Sequence, residues 1–112
     1  MKDYYNLIVD LSMQQLLVDD YADKIKIRKH DRAMNKILKL QEEMMDIECD
    51  DVILKLLEHS EERVKLEGVV CCKRKRIYLD KAKEVLEDVI NNPKDPTMQY
   101  AAEKLFEQIQ GL

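Results

Sequence analysis

The stretch from Asp50 to Cys72, DDVILKLLEHSEERVKLEGVVCC, constrains the fold more than any other part of this chain. Val52, Ile53, Leu54, Leu56 and Leu57 place apolar side chains on every side of a helix, and such a helix belongs inside a core. His59, Ser60, Glu61 and Glu62 interrupt the run, and Ser60 is a suitable N-cap for a second helix. Val64, Leu66, Val69, Val70 and Cys72 then resume the apolar pattern. Two helices joined by so short a link pack as antiparallel neighbours.

The remaining segments read as helices on either side of that hairpin. The chain has 112 residues, which suits a single domain spanning 1–112. Aromatics make up only 5%, with two Gly and two Pro, a balance that favours helices with short links over strands. Residues 1–11 carry Tyr4, Tyr5, Leu7, Ile8, Val9 and Leu11, too apolar for a free tail, and are expected to lie against the first helix as an extended or short helical N-terminal arm. Ser12 and Gln15 have capping-box spacing and predict a helix from Met13 to about Lys29. Its inward residues would be Leu16, Leu17, Tyr21, Ala22 and Ile25. Asp31 is the expected cap of a second helix ending near Glu48, with Met34, Ile37, Leu38, Met44 and Met45 at helical spacing. The central pair comes next, Val52 to Glu58 and then Glu61 to Arg74. Asp80 should cap a fifth helix with Ala82, Val85, Leu86, Val89 and Ile90 inward, ended by Asn91, Asn92 and Pro93. Asp95 with Pro96 is a strong start signal for a sixth, which carries Ala101, Ala102, Leu105, Phe106 and Ile109 and closes at Gly111. The expected fold is all-α, an α-α superhelix built as a right-handed, HEAT- or armadillo-like stack of about six helices.

Several function classes lose support at this level. No run approaches the ~18 apolar residues of a membrane span, and the opening MKDYYNLIVDL is too short and acidic for a secretory signal. Three Cys, two of them adjacent, make a poor disulfide framework, so a reducing, cytoplasmic setting is expected. Cys71 and Cys72 diverge by about 100° on a helix, which predicts one in the core and one near the surface. His30 and His59 have no Cys or carboxylate at metal-ligand spacing around both, so no metal or other cofactor is expected. His59 can instead meet the last carbonyls of the preceding helix. No base stands near a nucleophile, and no phosphate-cradling loop is present, so the expectation is a non-enzyme.

Charge is the informative property. The net charge is −4, yet between Glu42 and Glu62 nine carboxylates face one base, Lys55. Eight of them, Glu42, Glu43, Asp46, Asp50, Asp51, Glu58, Glu61 and Glu62, are taken as a candidate partner-binding surface for a basic protein. The plainer alternative is a solvated helix face. From Lys73 to Arg76 the chain reads KRKR, which could contact phosphates. Against nucleic acid stand a pI near 5.2 and the lack of an aromatic stacking platform beyond Tyr78. Basic residues at a helix C-terminus also complement its macrodipole.

Four motifs then carry a resemblance. They are Ser12, Gln15, Leu16, Val18 and Tyr21; Leu56, Leu57, His59, Val64, Lys65 and Leu66; Ala82, Val85, Leu86 and, one place late, Ile90; and Ala101, Leu105 and Gly111. In this order they resemble a bacterial family of small, uncharacterised HEAT-like α-α superhelical proteins often found near toxin cassettes. The chain departs from that pattern at Glu67, Gly68 and Val69, where the family has an aromatic and two alanines, and in a longer, basic link before Ala82. The resemblance implies a protein-binding scaffold, in its sharpest form an immunity protein that neutralises a basic toxin by direct binding. A general protein-interaction adaptor is the alternative, and a nucleic-acid-binding helical repeat the next.

Overall fold

The computed structural model describes residues 2–16 and 24–112. Among the described residues the protein is all-α, with six helices and no strand. They are α1 (Tyr4–Leu16), α2 (Lys24–Met45), α3 (Asp50–Leu57), α4 (Glu62–Lys75), α5 (Leu79–Asn91) and α6 (Pro96–Gln110). The chain divides into two compact units, Met1–Cys49 and Asp50–Leu112.

In the first unit α1 and α2 run antiparallel, so that Lys2 Nζ meets Glu43 Oε1 at 2.8 Å. Ile8 and Leu11 from α1 and Ala33, Ile37, Leu40 and Met44 from α2 form the buried seam. Two boundaries differ from the sequence reading. The expected arm is helical from Tyr4, one of the two forms anticipated, but it runs on without a break through Ser12, which lies inside α1, fully buried rather than capping. Its Oγ has no hydrogen-bond partner among the described residues. Asp31 likewise lies inside α2. No Gly or Pro interrupts Lys24–Met45 and the inward spacing never breaks, so each turn extends the last and the local capping signal is overridden. Leu17, Tyr21, Ala22 and the side chain of Leu16 lie outside the described residues. Ile25, expected to face inward, is 66% exposed, and of the residues at helical spacing Leu38 is 46% and Met45 38% exposed.

In the second unit α4 is the centre, packed by α3, α5 and α6. That enclosure explains why both Cys71 and Cys72 are buried, where one had been expected near the surface. With neighbours on three sides, directions 100° apart both meet protein. Burial pushes the Cys72 thiol up to about 11. Gly68 permits the closest approach, since a Cβ there would stand 3.0 Å from Leu56 Cβ and 3.0 Å from the Leu57 backbone nitrogen.

The links in this unit are held by specific polar contacts. Ser60 does not cap α4. Glu61 takes the N-cap position, and its N–H donates to His59 Nδ1 at 3.0 Å. At the far end Arg76 adopts a left-handed conformation, φ 56°, while the Ile77 N–H reaches back to the Cys72 carbonyl at 3.1 Å. That is a Schellman closure with arginine in the place glycine prefers. Tyr78, also left-handed, precedes α5, so Asp80 falls in the first turn instead of capping it. The start of α6 is as expected: Asp95 Oδ1 accepts from the Thr97 N–H at 2.8 Å, with Pro96 in the first turn.

Candidate protein-binding site

The eight carboxylates of the expected acidic surface fall into both units and into different situations. Glu62 is 4% exposed, and its two oxygens accept from the Lys94 N–H at 3.1 and 3.2 Å. It ties the first turn of α4 to the α5–α6 link and is not a surface group, so it leaves the candidate surface. Asp50 accepts from the Tyr78 hydroxyl at 3.3 Å, and that negative charge holds the Tyr78 phenol above its ordinary range. Asp50 and Asp51 both lie in the first turn of α3, where the helix dipole favours them. Glu58 pairs with Lys81 at 3.4 Å, and Glu61 is half-buried.

In the first unit Glu43 is held by Lys2. The hydrogen bond lowers the Glu43 carboxyl and raises the Lys2 ammonium from their usual ranges. Like Asp51 in the first turn of α3, Glu42 and Asp46 at the C-terminal end of α2 are exposed with no ion pair to a described residue. Beside them on the same helix stand the exposed Leu38 and Met45. A shallow depression alongside Leu38 is bounded by Asn35, Lys39 and Glu42. A second, of about 360 Å³, lies between α1 and α2 over Leu7, Leu11 and Leu40.

The length of α2 reveals a charge pattern that the sequence reading divided between two helices. From Lys24 to Lys39 the bases are Lys24, Lys26, Arg28, Lys29, Arg32, Lys36 and Lys39, and the acid is Asp31 alone. From Glu42 onward the signs reverse. Bases at the N-terminal half and acids at the C-terminal half both oppose the helix dipole. Arg28–Arg32, Arg32–Lys36 and Glu42–Asp46 are also like-charge neighbours one turn apart, an unfavourable spacing. This arrangement works against the isolated helix. The run KIKIRKHDR was visible in the sequence, but placing a helix end at Lys29 hid it.

The KRKR run has structural duties. Lys73 donates to Gln108 Oε1 at 2.5 Å, tying α4 to α6, and Arg76 forms the turn that ends α4. Among the described residues no group of three His, Cys, Asp or Glu side chains is placed to hold a metal ion. No helix among them is long and apolar enough to cross a membrane. Comparison with known proteins finds no match to a protein-family model, a curated protein or a solved structure.

Proposed function

We propose that this chain is a protein-binding helical module, in its sharper form a bacterial immunity protein that captures a basic toxin. One observation carries the reading: Glu42 and Asp46 are exposed at the end of α2 next to exposed Leu38 and Met45, with no local ion pair among the described residues. A partner with basic and apolar groups in the same spacing would neutralise the carboxylates and cover the apolar side chains. The toxin is an expectation from the motif resemblance, and a basic toxin is one that itself handles nucleic acid. Long-range attraction would speed its capture, and salt would slow that capture.

The test is a pull-down of the natural partner followed by association kinetics at two salt concentrations. Glu42→Lys with Asp46→Lys should slow association and flatten its salt dependence. Neutralising Lys73, Arg74, Lys75 and Arg76 should leave association unchanged. If the acidic variant associates as fast as wild type, capture does not run through α2. A nucleic-acid ligand would give the opposite pattern, with basic residues essential and acidic ones neutral or inhibitory.

A further inference from the structure

The outer face of α2 carries two patterns that converge on one occupant. The first is apolar. Ile27, Met34, Leu38 and Met45 recur at spacings of seven, four and seven, as on a coiled-coil seam, with the exposed Asp31 and the buried Gln41 at the intervening seam positions. Leu38 and Met45 on this seam are exposed, and Ile27 and Met34 are half-exposed. The second pattern is the segregated charge. Arg28, Asn35 and Glu42 flank the seam on its solvent side at spacings of seven, all three exposed.

From these patterns we infer that a second copy of this chain packs its α2 antiparallel against this face, giving a two-fold symmetric dimer centred near Lys36. Turning the helix about that centre sets Leu38 against Met34 of the other copy and Met45 against its Ile27. The same register brings Arg28 toward Glu42, with the two Asn35 side chains meeting near the axis. The apolar and charged patterns involve different residues, yet they select the same register within about one residue. Each like-charge half of α2, unfavourable alone, then faces its opposite. A C2 interface needs this self-complementarity, one patch serving both partners.

A helix of 22 residues is only ~33 Å long, so a single helix pair buries less than the ~1,200 Å² of a standard interface. The dimer is therefore weak and salt-sensitive. It does not depend on the toxin reading, because it needs no partner but this chain. A basic protein bound at Glu42 and Asp46 would compete with it.

Sedimentation velocity of the full chain over a range of concentrations is the first measurement. Self-association should weaken by about tenfold or more from low to high salt. Leu38→Asp should abolish it while helical circular dichroism stays unchanged. Arg28→Glu alone and Glu42→Arg alone should each weaken it, and the two together in one chain should restore it. The native cysteines are all buried, so a surface cysteine can be crosslinked selectively. Asn35→Cys should give a disulfide-linked dimer under mild oxidation, and Lys29→Cys, on the opposite side, should not. A chain that stays monomeric at every concentration overturns the inference. So does a dimer indifferent to Leu38→Asp and to the charge exchange, since it would use another face.

Discussion

Gly68 marks the point where α4 crosses α3, and the atoms facing it are a Cβ and a backbone nitrogen, neither of which can swing aside. Gly68→Ala should therefore destabilise the protein by about 1–3 kcal/mol, although alanine is the better helix former. Urea titration checks this, and an equal or higher midpoint would mean that the crossing relaxes freely. Cys72 makes a second residue-scale prediction. Its thiol is raised from 9.0 to about 11, so the folded protein holds a proton that the unfolded chain releases earlier. The resulting stability is fully present below pH 9.0 and is lost as pH rises through about 11. Wild type should thus lose up to about 1.4 kcal/mol more per pH unit across that window than Cys72→Ala, read from denaturation at matched pH. Parallel profiles would show that the thiol is not the titrating group. Sequence reasoning had the apolar character of this residue but not its full burial, because one helix cannot announce how many neighbours will enclose it.

At the scale of the element, the boundaries that were legible are those with stereochemical punctuation. Asp95 and Pro96 opened α6 as expected because the cap and the proline act within one turn. Asp95→Ala should cost about 0.5–2 kcal/mol, measured by thermal or urea unfolding. Ser12 and Asp31 misled because a capping residue is only a local preference, and continuous inward spacing through Ile8, Leu11, Ala33 and Ile37 outweighed it. The charged face of the second helix was correspondingly divided, and half of the candidate site went unread. Since the charges on α2 oppose its dipole, added salt should strengthen this helix. Amide exchange along α2 should slow with salt at protein concentrations too low for self-association. Faster exchange would mean that favourable ion pairs dominate there.

On the scale of the whole molecule, all-α character was readable from composition and periodicity, whereas the division at Cys49–Asp50 was not. Nothing in the residues there resembles a linker: Glu48, Cys49 and Asp50 contain no Gly, Pro or Ser. The acidic run crosses that division, with Glu42, Glu43, Asp46 and Glu48 in the first unit and the other carboxylates in the second. The run also concealed Glu62, whose oxygens are committed to the Lys94 backbone. Burial of every thiol has a practical consequence. Cys49 belongs to the first unit, and Cys71 and Cys72 to the centre of the second. An alkylating reagent can reach them only when the surrounding helices part, so the rate at which each thiol is consumed is a clock for the opening of its own unit. Mass spectrometry of partly alkylated protein should find Cys71 and Cys72 modified together and independently of Cys49. Modification of Cys71 well ahead of Cys72 would mean that α4 frays by itself. The chain thus carries, without engineering, one timer in each half.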